Sequence, residues 1–453
     1  MVDHLRSLFR QALVLGLLII ITSFVTPAAA GSFETLYSFC SVGGFSVCSD
    51  GGVPSGSLVL DKSGNIYGTT TTGGANGKGG VVYKLTPGSK TPYHDTLLYS
   101  FCSEANCADG QVPASSLIID AEGNLYGTTV SGGANNSGTV FELSPSGGGY
   151  QETVLYNFCS AGGSDCTDGK GPWSGVVADA DGDLFGTANT GGANQINSIG
   201  AGVVFELIPN ESKTAYTETV LYNFCSESDC SDGITPYNGL LMDQDGDLFG
   251  TTDFGGSGSD GVVYELIPNQ TGTAYSETTL YSFCSQGGSD CTDGNDPGFH
   301  SPLIADSAGG LYGVTVDGGG SNSGGVVFKL TPNQGAFDES VIYAFCRTGG
   351  SKCTDGNKPG GGLIIDSKGN LYGTTSRGGT RGDGTLFKLT PNKKKTAYTE
   401  KVLHSFCTSG RPGQCLDGLG PLATLATDKA GNLYGITNTG GAQTSGTAFK
   451  SAP

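Results

Sequence analysis

The chain has 453 residues, of which 78 are glycine and only 14% are charged, a composition too poor in charge for a solvated disordered chain. Lys and Arg number 23 and Asp and Glu number 42, so the net charge is −19. Because an acidic surface repels phosphate backbones, no nucleic-acid partner is expected. The charge is typical of a soluble surface, with attraction of cations as the alternative.

Residues 1–30 are predicted to be a signal peptide. Arg6 and Arg10 make the start basic, an apolar run extends from Ala12 to Val25, and alanines 28–30 offer a cleavage site. This run is shorter than the roughly 20 residues that span a bilayer, so an uncleaved anchor is the weaker alternative. We expect a secreted, cell-surface or periplasmic protein with no membrane span after cleavage, and no sorting tail at the C-terminus.

Seven copies of one repeat occupy residues 31–453. Each copy has a Phe-Cys dipeptide, an Asp-x-x-Gly turn and a Gly-Gly pair. Such a period predicts one body built from stacked units, not several independent domains. The repeats run near 31–94, 95–151, 152–217, 218–276, 277–338, 339–399 and 400–453.

Each repeat contains four strand-like segments. In the second copy these are Ser116–Asp120, Leu125–Thr129, Gly138–Leu143 and Glu152–Cys159, separated by turns rich in Gly, Asn and Pro. Short strands at regular spacing predict an all-β fold. Four strands match the size of one propeller blade, and seven copies match the usual blade number.

Both faces of many strands are apolar, as in Val203, Val204 and Phe205, which a blade packed between two neighbours requires. The sequence therefore predicts a seven-bladed β-propeller with four-stranded blades, and a β-solenoid is the alternative. The chain opens with a fourth-strand sequence at Phe33–Phe39 and ends after a third-strand sequence at Thr447–Lys450. We predict that these two segments pair and close the ring, which also removes a sheet edge.

Fourteen cysteines occur as two per repeat. An even count at repeating spacings in an exported chain predicts disulfides, whereas zinc would need four ligands together. The predicted pairs are Cys40–Cys48, Cys102–Cys107, Cys159–Cys166, Cys225–Cys230, Cys284–Cys291, Cys346–Cys353 and Cys407–Cys415.

Two acidic motifs are candidate cation-binding sites. All seven copies read Cys-x-Asp-Gly-x-x-Pro, and we interpret the Asp as an Asx turn, with a ring of seven cation-binding carboxylates as the alternative. The turns 179–183 and 243–247 read Asp-x-Asp-Gly-Asp but lack the glycine position and the final Glu of an EF-hand. We interpret them as hairpin turns. No cofactor is expected, and a bound Ca²⁺ ion is the alternative.

The pattern Leu-Tyr-Ser-Phe-Cys, then Asp-Gly, Asp-x-x-Gly-Asn-Leu-Tyr-Gly-Thr-Thr, Gly-Gly and Gly-x-Val-Phe-x-Leu-x-Pro resembles the Gloeo/Verruco (GloVer) repeat of exported bacterial proteins. The resemblance covers nearly all of residues 31–453 and implies a bacterial secreted or cell-surface protein. It implies no activity, because the repeat is of unassigned function. The Asp-x-x-Gly-Asn-Leu-Tyr segment is also similar, over a shorter stretch, to NHL-type blades.

A binding or scaffold module that acts through one loop face is favoured over an enzyme. The strands expected around the axis, such as Leu117-Ile118-Ile119, contain no acid, base or metal ligand, and catalysis needs such groups clustered in a pocket. A propeller enzyme of the lactonase, lyase or glycosidase type, acting on an extracellular carbohydrate or small molecule, is the alternative. His404 takes the place of a repeated tyrosine and is expected to pack.

The candidate ligand site lies where the copies differ. Six residues before the turn Asp, three successive blades offer Trp173, Tyr237 and His300, whereas the other blades have small or aliphatic residues. We expect the aromatic rings to stack on a carbohydrate or other ring, or to contact a protein, although they serve equally well as a channel plug. The aspartates expected beside them are Asp168, Asp232 and Asp293.

Overall fold

The computed structural model describes residues 32–43, 48–75, 77–88, 93–196, 199–298, 301–410 and 414–453. The predicted signal peptide and His300 lie outside these residues. Seven antiparallel sheets, one per repeat, confirm the predicted all-β, seven-bladed propeller. Within the described ranges, no helix has the length and hydropathy needed to cross a membrane.

Each blade has its strands in sequential order from the inside outwards, numbered here in chain order. The first, innermost strands are β2 (Gly52–Leu60), β6 (Ile118–Ile119), β10 (Val177–Ala178), β14 (Leu241–Met242), β18 (Asn295–Pro297) with β19 (Ile304–Ala305), β23 (Asn357–Pro359) with β24 (Ile364–Ile365), and β28 (Ala426–Thr427). The second strands are β3 (Ile66–Thr72), β7 (Leu125–Thr129), β11 (Leu184–Ala188), β15 (Leu248–Thr252), β20 (Leu311–Asp317), β25 (Leu371–Arg377) and β29 (Leu433–Thr437).

In every blade except the first, the two outer strands together are longer than the inner strands. The third strands are β4 (Val81–Thr86), β8 (Thr139–Ser146), β12 (Val203–Pro209), β16 (Val262–Pro268), β21 (Val326–Asn333), β26 (Thr385–Pro391) and β30 (Thr447–Ser451). The outermost strands are β5 (His94–Ser100), β9 (Gly149–Asn157), β13 (Tyr216–Asn223), β17 (Tyr275–Ser282), β22 (Ala336–Ala344), β27 (Tyr398–Ser405) and, in the seventh blade, β1 (Phe33–Ser38). Short 3-10 helices lie in the disulfide loops at Ala105–Cys107, Gly163–Asp165, Ser228–Cys230, Gly288–Asp290 and Gly350–Lys352.

The first strand of the chain is the last strand of the seventh sheet. Strand β1 pairs antiparallel with β30, so that Phe33 lies opposite Ser451 and Ser38 opposite Thr447. Leu36 of β1 packs in one cluster with residues of the first and seventh blades, including Leu58. The two ends of the described chain therefore meet in one blade.

The glycine in the second strand of each blade leaves room for an aromatic ring of the third strand. A Cβ atom built on Gly186 would lie 2.5 Å from the Phe205 ring, and one on Gly127 would lie 2.8 Å from the Phe141 ring. Because Cβ atoms do not approach other atoms so closely, a side chain at these positions would displace the ring. The repeated Tyr-Gly-Thr sequence therefore follows from packing inside the blade.

The innermost strands are mostly shorter than predicted. The segment predicted as Ser116–Asp120 has only Ile118 and Ile119 in the sheet, whereas the predicted second strand Leu125–Thr129 is confirmed at both ends. The backbone just before Ile118 makes a hydrogen bond with the neighbouring blade instead. The Thr69 hydroxyl of that blade donates to the Ser115 carbonyl over 3.0 Å. Contacts between blades thus replace ladder pairing near the axis.

One backbone hydrogen bond recurs at each blade boundary. The donor is the N–H group immediately before the repeated proline, and the acceptor is a carbonyl in the loop between the second and third strands of the preceding blade. Each donor residue has a positive φ, between 55° and 67°. The donors are Val53, Val112, Gly171, Thr235, Asp296, Lys358 and Gly420.

Candidate functional site

The disulfide loops lie on the face that also holds the loops between second and third strands. All seven predicted cysteine pairs are bonded, and each joins residues 5 to 8 positions apart. In the part of the chain that the structure describes, two groupings of donor atoms resemble metal sites, but each consists of one aspartate and two disulfide sulfurs, which cannot act as thiolate ligands. These loops are therefore a covalent frame for the face.

The aspartate of each disulfide loop is buried. Asp168 is 2% exposed, and its Oδ2 atom accepts hydrogen bonds from the Ser160 N–H at 2.7 Å and the Tyr156 hydroxyl at 2.8 Å. Asp232 and Asp293 make the equivalent bonds to their own tyrosine, serine and backbone. The bonds run back across the loop to the outermost strand, which differs from the forward bonding expected of an Asx turn.

A cavity of about 420 Å³ opens at the centre of the ring on this face. Five blades contribute to its lining, so it spans the axis. Its lining is Ser55, Gly56, Thr71, Val112, Trp173, Tyr237, Leu422, Ala423 and Asn438. Among the described residues of this lining, the polar atoms are hydroxyls, one amide, one indole N–H and backbone groups, with no carboxylate, ammonium or guanidinium. Such a lining suits an uncharged ligand.

The structure brings two of the predicted aromatic residues together. The rings of Trp173 and Tyr237 lie 5.6 Å apart at an angle of 39°, and both side chains are half-buried. Burial, followed by the charge of Asp253, raises the pKa of Tyr237, while a hydrogen bond with Asn189 lowers it. The two rings form one apolar wall of the cavity. Ser55 and Leu422, at the equivalent repeat positions, line it with them.

Sequence reasoning missed Asp253. This residue follows the second strand of the fourth blade, at the repeat position that Thr71 and Asn438 occupy in the cavity lining. It is 3% exposed, and its Oδ1 atom has no hydrogen-bond partner among the described residues. Burial, and then the neighbouring Asp296 carboxylate, raise the pKa of Asp253 to about 8. The signal available in the sequence was an Asp where the other copies have Thr, Val, Asn or Ser.

The remaining predicted site residues are placed differently. Asp168, Asp232 and Asp293 are not among the lining residues of the cavity, and their ligand role stays a prediction. His300 lies outside the described residues. His404 packs as expected: its ring stacks on Phe33 with centroids 3.6 Å apart, and its Nε2 atom lies 3.0 Å from the Asp417 carboxylate.

The fold and the disulfide-framed face define the chain as a tandem-repeat β-propeller protein. Its sequence matches the profile of the Gloeobacter/Verrucomicrobia repeat over residues 22–166, 94–298, 164–354 and 300–453. The chain therefore belongs to the Gloeobacter/Verrucomicrobia repeat family. No curated protein sequence matches it significantly.

Solved structures show similarity of fold. A protein described provisionally as a 6-phosphogluconolactonase, from Bacteroides uniformis, is 13% identical, with a TM-score of 0.51 over 83% of this chain and 88% of that one. PorZ, a surface component of the type-IX secretion system of Porphyromonas gingivalis, is 14% identical, with a TM-score of 0.46 over 87% of this chain and 46% of PorZ. At these identities the likeness is one of fold alone.

Proposed function

We propose that the protein is an exported binding module whose central cavity takes an uncharged carbohydrate. The observation that carries the proposal is the contact between Trp173 and Tyr237, which offers two aromatic faces at a cavity with hydroxyl and amide groups. Aromatic faces pack against the C–H faces of a sugar ring, and neutral polar groups hydrogen-bond its hydroxyls. The net charge of −19 disfavours an anionic ligand.

Disulfides support the extracellular part of this proposal. Fourteen cysteines in seven local bridges are typical of oxidising compartments and rare in the bacterial cytosol. The predicted signal peptide agrees with this location. A ligand role for His300 and for the three loop aspartates stays a prediction from the sequence.

The test is binding to an array of neutral and acidic glycans, followed by fluorescence titration with the best ligand. Trp173 is the only tryptophan, so its emission reports directly on the cavity. We expect a shift on ligand addition and at least a tenfold loss of affinity in Trp173→Ala and Tyr237→Ala, since a truncated aromatic anchor costs about 1.4 kcal/mol or more. The melting temperature should change little.

Ile267→Ala is the matched control, because this residue is 42% exposed near the hairpin between the two outer strands of its blade, away from the cavity. Its affinity should equal that of the parent protein. Binding that survives both aromatic substitutions would contradict the proposal, as would a preference for acidic glycans.

A second candidate function, a propeller enzyme that acts on a carbohydrate or lactone, is favoured by Asp253. A buried carboxyl with a pKa near 8 is protonated at neutral pH and has the properties of a general acid. The test is turnover of lactone, glycoside and polyuronate substrates. Activity that falls above pH 8 and disappears in Asp253→Asn would support catalysis, and absence of turnover would leave the binding module.

A further inference from the structure

On the face opposite the cavity, hydrogen-bond donors surround the turn aspartate in five of the seven blades. In the first blade, Asp61 Oδ2 accepts from Asn65 Nδ2 at 2.6 Å and from the Tyr67 hydroxyl at 3.2 Å. In the fifth blade, Lys329 Nζ lies 3.2 Å from Asp306 Oδ2. Donors on neighbouring strands thus offset the carboxylate charge.

The third blade replaces every one of these donors. Asp183 stands at the Asn position, Phe185 at the Tyr position and Glu206 at the Lys position. Asp179 Oδ1 still accepts the backbone N–H groups of the turn, but no donor to its Oδ2 atom is found in the described part of the chain. The exchange turns a group of donors into a group of acceptors.

Glu206 is the independent sign of a ligand. It lies on β12, opposite Phe185 in the ladder, and is only 7% exposed. Among the described residues it has no hydrogen-bond or ion-pair partner, and the charges acting on it are those of Asp183 and Asp179. At the equivalent position, the Lys329 ammonium reaches the turn aspartate directly. A buried carboxylate in that place has a cation as its natural partner.

We propose that Asp179, Asp183 and Glu206 bind a calcium ion between the hairpin turn and strand β12. Calcium accepts six to eight oxygen ligands in flexible geometry, whereas Mg²⁺ requires a near-ideal octahedron. As the side chains stand, their oxygens do not all converge within 4.8 Å, so rotation of Asp183 or Glu206 completes the site. Backbone carbonyls and water supply the remaining ligands.

Other charged and titratable groups surround the proposed site. Asp181 adds a fourth carboxylate, Tyr275 of the next blade faces the same charges, and the Lys213 ammonium lies over Gly182 without an ion pair within 4.0 Å.

The experiment is a calorimetric and thermal-shift titration with CaCl₂ after treatment with EDTA. The titration uses the E265K variant, because the fourth blade has a similar acidic group that includes the half-buried Glu265. Four other blades have Lys at this repeat position. We expect one ion per chain with a dissociation constant below about 1 mM, the range of extracellular calcium modules. The melting temperature should rise with CaCl₂.

In this background, E206Q should weaken binding at least tenfold. The variant D183N/F185Y/E206K restores the donors of the first and sixth blades, so it should fold with at least the parent's stability in EDTA and show no response to CaCl₂. An unresponsive parent, or an equal response in E206Q, would overturn the proposal. Because the cavity is on the other face, its glycan binding is measured separately, and either result stands without the other.

Discussion

Val112 has a backbone conformation that β-branched residues rarely adopt. Its φ is 60°, its N–H donates to the Gly79 carbonyl of the preceding blade, and its side chain lines the cavity. The left-handed region costs a residue with a Cβ atom about 1–2 kcal/mol, and more when the side chain is branched. Gly171 and Gly420 have the same conformation without this cost.

We therefore expect Val112→Gly to raise the free energy of unfolding by about 1 kcal/mol or leave it unchanged, although a side chain is lost. The reverse substitution, Gly420→Val, is the control. It should lower stability by about 1–2 kcal/mol, since a Cβ atom there meets nothing within 4 Å and strain is its only cost. Urea unfolding of both variants measures the difference. Destabilisation by Val112→Gly comparable to an ordinary core truncation would contradict this account.

At six of the seven blade boundaries, two carboxyl groups lie close together between neighbouring outermost strands. One belongs to an acid on an outermost strand and the other to the aspartate of a disulfide loop. Between the first two blades, Tyr99 donates to Asp109, and Glu152 of the next strand faces this aspartate. Burial, then the loop aspartate, raise the pKa of the strand acid to about 7 or 8. The strand acids are Asp95, Glu152, Glu218, Glu277, Glu339 and Glu400.

At the seventh boundary, Phe33 takes the place of the strand acid and His404 that of the tyrosine. Among the described residues, this boundary therefore has only one such carboxyl group, that of Asp417, and its partner is the basic side chain of His404 instead of a tyrosine. Burial lowers the pKa of His404, against the opposing effect of Asp417. This boundary does not depend on a protonated acid.

The raised pKa values of these acids predict that they favour the folded state under mildly acidic conditions. Each has a folded pKa above its unfolded value, which is 4.5 for the five glutamates and 3.8 for Asp95, so the stabilisation is complete below these values and is lost as the pH rises through 7 to 8. We expect the melting temperature to fall from pH 5 to pH 8.5 in differential scanning calorimetry. The double variant E152Q/E218Q should show a smaller fall, and a parent melting temperature that rises over this range would refute the assignment.

Much of the blade was predictable from the sequence, because the same pattern of packing residues occurs in all seven repeats. The second strands, the cysteine pairs and the position of Trp173 beside Tyr237 follow from local pattern and blade phase. What depends on the neighbouring blade was not predictable. The shortened inner strands, the burial of Asp253 and the facing of Glu152 toward Asp109 arise only when two copies are placed side by side.

At the scale of the whole molecule, the two chain ends share one sheet, and we predict that this pairing closes the ring. Deleting residues 32–39 behind the predicted signal peptide removes Leu36 and Phe39, both almost fully buried. The loss should be at least about 4 kcal/mol, with exposure of the β30 edge and association between chains. Glu34→Ala, an exposed change on the same strand, is the control.

Calorimetry and light scattering of the purified proteins measure this effect. A truncated chain that stays monomeric with the parent's melting temperature would show that β1 does not hold the ring together. If the truncated chains associate but keep the parent's melting temperature, β1 protects the β30 edge and does not stabilise the closed ring.

The short spacing between bridged cysteines has a consequence for the order in which the disulfides and strand pairs form. Each bridge joins cysteines 5 to 8 residues apart, so an oxidase needs only one short stretch of chain to form it correctly. We therefore expect the bridges to form in chain order as the repeats emerge. Strand β1, in contrast, pairs with β30, which lies near the other end of the described residues, so this pairing cannot form until β30 has emerged. The local disulfides are thus expected to form early, and the noncovalent pairing of β1 with β30 is expected to form late.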